Sequence, residues 1–75
     1  MNLSEAFSLR IQLLCFEKDL TLYELSKKSG VPRTTLKDIA AGRITNTGIK
    51  NVEKIAKGFG MNIRDFFDAD LFEKS

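Results

Sequence analysis

Apolar residues recur along the chain at the three-to-four-residue spacing of helices, and no segment of strand length alternates between apolar and polar positions. The pattern predicts an all-α fold of five short helices. The first helix is expected from about Ser4 to Lys18 and the third from about Pro32 to Ala41. The residues expected on the inner faces are Phe7, Ile11, Leu14 and Cys15 in the first helix, Leu36, Ile39 and Ala40 in the third, Ile49, Val52, Ile55, Ala56 and Phe59 in the fourth, and Ile63, Phe66, Phe67 and Leu71 in the fifth.

Local signals predict where these helices begin and end. Thr21 and Glu24 have the spacing of a capping box, in which each side chain accepts a hydrogen bond from the backbone N–H of the other residue. Gly30 suits the left-handed conformation that ends a helix, and Pro32 suits the first position of the next helix. The second and third helices are therefore expected to be joined by a very short turn. Side chains that cap the other helices are expected at Ser4, Thr47 and Asn62.

The second and third helices together have the form of a helix-turn-helix unit at about residues 21–41. In such a unit the first helix braces the second against the major groove of DNA. Leu36 points inward in this arrangement, whereas Arg33, Thr34 and Lys37 face outward. Arginine can bind guanine through two hydrogen bonds, and threonine can contact bases through its hydroxyl or methyl group. The alternative is that these are ordinary solvent-facing side chains.

Composition excludes several kinds of functional site. The 75 residues include one cysteine and no histidine, so no internal disulfide framework or Cys/His metal site is expected. No nucleophile with a paired base and no glycine-rich phosphate loop is present, so the sequence predicts neither an enzyme nor a cofactor, metal or small-molecule ligand. The strongest apolar patch, around residues 11–16, is too short to span a membrane. The sequence thus predicts a single domain over residues 1–75 in a cytoplasmic protein.

Charge is distributed unevenly along the chain. Residues 1–25 and residues 58–75 each carry a net charge of −2, whereas residues 26–57 carry eight cations against Asp38 and Glu53 and so have a net charge of +6. A basic central segment between acidic ends favours a surface that binds a polyanion. Solvated lysines on ordinary helices are the alternative interpretation.

Two segments resemble the phage-repressor and Cro-like helix-turn-helix family, often called the XRE family. LTLYELSKKSGVPRTTLKDIAAG is similar to its two crossing helices, and IKNVEKIAKGFGMNIRDFF is similar to its closing pair. The resemblance runs from about Ile11 to Phe67 and implies a compact five-helix bundle of the lambda-repressor-like DNA-binding type. Three positions depart from the family pattern. Leu22 replaces a glutamine that commonly helps to hold a phosphate, Pro32 replaces the usual serine cap of the third helix, and Cys15 replaces an arginine that is common near the end of the first helix.

The resemblance also implies residues that contact double-stranded DNA. Base contacts fall to Arg33, Thr34 and Lys37, and Thr35 contacts either bases or backbone. The residues that the resemblance places on phosphates are Arg43, Thr45, Asn46 and Lys50. The function expected from it is a sequence-specific transcriptional regulator, a repressor. The alternative is a helix-turn-helix module that binds another protein, as an antitoxin or accessory subunit does.

A homodimer is expected because one third helix covers only a few base pairs, and two-fold pairing places two of them in successive major grooves. The apolar residues expected at the dimer interface are Leu71, Phe72 and Phe67 near the end of the sequence and Leu9, Leu13 and Phe16 on the first helix. Alternatively, these residues fold back and complete the core of a monomer, because a core this small needs all the apolar area that it can gather.

Overall fold

The computed structural model describes residues 2–44 and 46–73. Every regular element in the described part of the chain is a helix. The helices are α1 (Leu3–Glu17), α2 (Leu22–Ser29), α3 (Arg33–Ala40), α4 (Ile49–Gly58), α5 (Ile63–Phe67) and α6 (Asp70–Glu73). The predicted all-α fold is confirmed, and the four-residue helix α6 follows the five expected helices.

The capping signals between α1 and α3 are confirmed. The Thr21 hydroxyl accepts from the N–H of Glu24 at 3.1 Å, and the Glu24 carboxylate accepts from the N–H of Thr21 at 3.0 Å. The hydrogen bond from the backbone N–H of Thr21 lowers the pKa of the Glu24 carboxyl, and the Thr21 hydroxyl adds to this effect. Gly30 ends α2 with a left-handed φ of 79°. The cap at the start of α5 is confirmed as well, since the Asn62 side chain accepts from the N–H of Asp65 at 2.7 Å.

Three predicted helix starts were wrong. Asn2, not Ser4, caps α1, because Asn2 and Glu5 form a reciprocal capping box. Gly48 precedes α4 without a side-chain cap, and Thr47 instead lines a hollow between the α3–α4 loop and α1. Pro32 has an extended ψ of 141°, so it lies just before α3 and not inside it.

The core lies where α1, α2, α3, α4 and α5 meet. The large side chains that are completely buried there include Phe66, Ile11, Leu25, Leu36, Ile39, Ile55 and Val31. The inner faces predicted for α1, α3 and α4 are largely confirmed. Ile49 is the exception, with 70% of its surface exposed, because α4 begins at this residue, one turn before Val52 reaches the core.

Aromatic rings close the bundle over the start of α1. Phe66 packs edge-on against Phe7, with 5.5 Å between the ring centroids, and Phe72 of α6 packs edge-on against Phe67 at 4.7 Å. Arg10 of α1 stabilises this cluster, because its Nε donates to the carbonyl oxygen of Phe66 in α5 at 2.7 Å. The segment after α4 thus adds aromatic area to a small core.

Helices α2 and α4 approach each other closely at Gly58. A Cβ atom at this position would lie 2.8 Å from the Cβ of Ser29, 3.0 Å from a methyl carbon of Leu25 and 3.2 Å from the Cα of Ser29. The absence of a side chain at Gly58 therefore sets the distance between α4 and the first helix of the helix-turn-helix unit.

Gly58→Ala is expected to destabilise the protein. Overpacking of a tight contact costs about 1–3 kcal/mol, which exceeds the gain of about 0.5–1 kcal/mol from replacing a helical glycine. The urea midpoint of unfolding measures the effect. Gly48→Ala is the matched control, because nothing lies within 4 Å of its Cβ position. A midpoint for Gly58→Ala at or above that of the wild type would contradict the close approach.

Candidate nucleic-acid interface

The turn between α2 and α3 is built from Gly30, Val31 and Pro32. Gly30 turns the chain out of α2, and Val31 then packs into the core with 1% of its surface exposed. The Val31 N–H donates to the hydroxyl of Ser29 at 3.1 Å, so this inward-turned backbone keeps a hydrogen-bond partner. Because the turn is short and anchored, α2 and α3 are held against each other as the helix-turn-helix pattern predicts.

Helix α3 has one buried face and one outer face. Leu36 and Ile39 lie in the core, whereas Arg33, Thr34 and Lys37 are exposed. These last three are three of the four predicted base-contacting residues, and the structure brings them together on the outer side of the first turns of α3. The fourth, Thr35, is half-buried at the edge of this face. The outer face can therefore present a guanidinium, a hydroxyl and an ammonium group to a ligand.

The end of α3 is tied to α1 by two side chains. The Ser8 hydroxyl and the Gln12 side-chain amide both donate to the carbonyl oxygen of Ala40, at 2.6 and 2.7 Å. Ala40 is the last residue of α3, where carbonyl groups lack partners within the helix. This anchor was not predicted from the sequence. The signal available was a polar pair four residues apart beside the apolar face of α1, but nothing in it identifies the acceptor.

The predicted phosphate-contacting residues lie in the α3–α4 loop and at the start of α4. Asn46 and Lys50 are exposed, and Lys50 lies in the first turn of α4. Arg43 is exposed too, but its guanidinium already binds the carboxylate of Asp38 at 3.1 Å. Thr45 lies outside the described residues. Of this group, then, Asn46 and Lys50 are exposed, and Lys50 forms no ion pair within the described residues, whereas Arg43 is paired.

Six of the eight cations of the central segment lie on two surfaces, the second of which also includes Lys18 from outside that segment. Arg33, Lys37, Arg43 and Lys50 belong to α3, the following loop and the start of α4. A second group, consisting of Lys18, Lys28 and Lys57, lines an open groove with Phe59 that includes no residue of α3 or of the loop after it. Each lysine of this second group lies at the C-terminal end of its own helix, where a cation interacts favourably with the helix dipole.

Among the described residues, Cys15 has no partner that would activate its thiol. It is half-buried against the core, and this burial raises the pKa of the thiol. A raised pKa keeps the thiol protonated at neutral pH, and the protonated form is a poor nucleophile. The geometry therefore supports a packing role for Cys15.

The comparisons with known proteins agree with this geometry. A family model described as helix-turn-helix matches residues 9–66, about three quarters of the chain, from α1 to the end of the buried part of α5. Searches of curated proteins and of solved structures gave no match. None of the helices in the described part of the chain is long and apolar enough to cross a membrane.

Removing the α1 anchor is expected to loosen α3. Ser8→Ala should lower the free energy of unfolding by about 0.5–1.5 kcal/mol, because Gln12 still binds the Ala40 carbonyl. The double change of Ser8 and Gln12 to alanine should lower it by more than the sum of the single changes, because that carbonyl then loses both donors. Urea unfolding of the wild type, Ser8→Ala, Gln12→Ala and the double variant completes this double-mutant cycle.

Gln12→Glu is the matched control for this cycle. Glutamate is nearly the same size as glutamine, but its ionised carboxylate cannot donate a hydrogen bond. The variant should therefore be less stable than Gln12→Ala. Strictly additive effects in the cycle, together with a glutamate variant as stable as the wild type, would show that the two hydrogen bonds do not stabilise α3.

Proposed function

The chain belongs to the XRE-type, Cro-like helix-turn-helix family, and on this premise we propose that it is a sequence-specific double-stranded DNA-binding transcriptional regulator that acts as a repressor and as a homodimer. In this proposal the protein is a binding protein and not an enzyme. A cytoplasmic location follows from the proposed activity, since a regulator has to reach the duplex that it controls.

The outer face of α3 is the observation that carries the proposal. Arg33, Thr34 and Lys37 are exposed together, and within the described part of the chain none of their side chains makes a hydrogen bond or an ion pair. These side chains can therefore bind a ligand without first breaking a hydrogen bond or an ion pair within the protein. In the major groove, Arg33 would donate to the O6 and N7 of guanine, and Thr34 would contact a neighbouring base. Lys37, one turn after Arg33, would reach the next base or its phosphate.

The start of α4 supports a phosphate contact beside this face. Lys50 lies in its first turn, which contains no acidic residue, and Gly48 supplies no side-chain cap. Among the described residues, the backbone N–H groups of Ile49 and Lys50 have no hydrogen-bond partner and are available to a phosphate oxygen, whereas that of Asn51 donates to the carbonyl oxygen of Gly48 at 3.1 Å. The helix dipole favours negative charge at this end. Lys50 and Asn46 would hold the DNA backbone while α3 contacts the bases.

Arg33 and Lys50 are expected to contribute to binding in different ways. Once a preferred duplex has been selected from a random pool, Arg33→Ala should weaken binding to it by about 1–3 kcal/mol and relax the preference at one base pair. Lys50→Ala should weaken binding to all duplexes alike and reduce the slope of log affinity against log salt by about one unit. Titrations of preferred and random duplexes at several salt concentrations measure both effects.

Arg64→Ala is the matched control, because it removes one exposed cation from α5, outside the proposed surface. It should leave base preference unchanged. Equal losses on every duplex for Arg33→Ala would make Arg33 a phosphate contact. A wild-type protein that shows no preference among duplexes would overturn the proposed function.

The proposed dimer interface is centred on the outer side of α1. Phe16 and Leu13 are 86% and 41% exposed, and Leu9, on the same side of the helix, is half-buried. The other proposed interface residues, Leu71, Phe72 and Phe67, are half-buried. Since the rings of Phe67 and Phe72 pack against each other and against the core, they support the monomer as well. Phe16 and Leu13 are therefore the residues whose burial a partner copy would increase most.

Phe16→Ser is expected to convert a dimer into a folded monomer that binds its operator more weakly. The reason is that a side chain as exposed as Phe16 contributes little to the core, whereas its burial between two copies would stabilise association. Sedimentation velocity at tens of micromolar, together with circular dichroism, measures both properties. Leu3→Ser is the control, because Leu3 is 61% exposed but lies outside the proposed interface. A wild-type monomer at that concentration would overturn the dimer.

A further inference from the structure

Arg43 and Asp38 are joined twice at the end of α3. The Arg43 N–H donates to the carbonyl oxygen of Asp38 at 2.9 Å, and the Arg43 guanidinium donates to the Asp38 carboxylate at 3.1 Å. Gly42 makes this possible, since its left-handed φ of 77° turns the chain back over the last turn of α3. The backbone bond is a usual helix ending. The side-chain bond is the only salt bridge in the described part of the chain.

The Asp38 carboxylate lies on the face of α3 that the proposed function turns toward DNA. Asp38 follows Thr34 by four residues, so the two lie on the same side of the helix, and the Asp38 side chain is 44% exposed. A carboxylate is an acceptor only, and phosphate oxygens repel it. Its presence on this face therefore has to be explained within the proposed function.

The ion pair changes what Arg43 can do for binding. While the guanidinium is held by Asp38, the pair carries no net charge, so it releases few counterions from an arbitrary duplex. A guanidinium has five N–H donors, however, and can keep one bond to Asp38 while other N–H groups donate to a second acceptor in a fixed direction. Arg43 is thus poorly suited to non-specific contacts with phosphates. It is well suited to donate hydrogen bonds to a single acceptor in a fixed position.

We propose that Asp38 is a positioning residue for specificity, which acts through Arg43. Asp38 directs the Arg43 guanidinium toward the acceptor that is present in the preferred complex. With duplexes of other sequence, Asp38 neutralises the charge of Arg43 and so weakens its attraction to phosphates. The inference rests on the proposed function, because it assumes that this face of α3 meets DNA. It extends that function by predicting that an acidic residue lowers affinity for random DNA and so raises the ratio of specific to non-specific affinity.

The test is the substitution Asp38→Asn in two backgrounds, the wild type and Arg43→Ala, with binding measured on preferred and random duplexes. In the wild-type background, Asp38→Asn should release Arg43 to bind phosphates. The slope of log affinity against log salt on random duplex should then steepen by about one unit, which is about a fourfold greater loss of affinity between roughly 50 and 200 mM salt. The ratio of preferred to random affinity should fall. In the Arg43→Ala background the same substitution should leave the salt slope unchanged, because no arginine remains to be released.

Asp68→Asn is the matched control, since it changes the net charge by the same amount at an exposed position outside this face. It should leave the slope and the ratio unchanged. Circular dichroism should show that all variants remain folded, because the backbone bond from Arg43 to Asp38 does not depend on the carboxylate.

Each other outcome overturns the inference in a recognisable way. A slope that steepens equally in both backgrounds means that Asp38 only repels the DNA backbone. No change in the wild-type background means that the ion pair has no part in binding, while preference among duplexes, and with it the proposed function, remains. A wild-type protein that shows no preference removes the proposed function and this inference together.

Discussion

The carbonyl groups at the C-terminal end of α3 must find hydrogen-bond donors outside the helix, and the position of the whole proposed interface depends on how they do so. Ser8 and Gln12 of α1 donate to Ala40, and Arg43 in the following loop donates to Asp38. The opposite end of α3 differs, because Pro32 supplies neither a side-chain cap nor an N–H. The helix is therefore held at its C-terminal end and on its inner face, and its first turn remains open to a ligand.

The same need to satisfy backbone groups links the far side of the bundle. Arg10 donates to the carbonyl oxygen of Phe66 at 2.7 Å and to that of Asp65 at 3.1 Å, so α5 is attached to α1 as α3 is. Phe66 is fully buried beneath this contact, and Phe72 extends the aromatic cluster into α6. In this way α1 carries two groups of polar anchors on either side of an apolar face, and a short chain gains a fixed geometry from a small core.

Charge on this protein has to be considered by surface and not by segment. The net charge of +6 over residues 26–57 includes lysines at the C-terminal ends of α2 and α4, where they complement helix dipoles. It also includes Arg43, whose charge Asp38 offsets. The cations that remain for a polyanion on the proposed interface are chiefly Arg33, Lys37 and Lys50. Three well-placed cations fit selective binding better than a broad basic patch would.

The sequence by itself determined the features that depend on residues three or four positions apart. The capping box of Thr21 and Glu24, the helix end at Gly30 and the outward position of Arg33 follow from local spacing, which acts before any tertiary contact forms. The cap at Asn2 was also available in this way, since Glu5 stands at the matching position. The exposure of Ile49 could not be predicted from the sequence, because the apolar spacing of α4 does not show where the neighbouring helices end.

Only the tertiary structure decided which distant groups meet. The bond from Ser8 to Ala40 joins residues 32 positions apart, and that from Arg10 to Phe66 joins residues 56 apart. A serine or arginine carries no sequence signal that identifies one carbonyl among many, because every backbone carbonyl that lacks a partner within its helix is an equally good acceptor. The Asp38–Arg43 pair is closer in sequence, yet it too depends on the turn at Gly42, which brings the two side chains to the same end of α3.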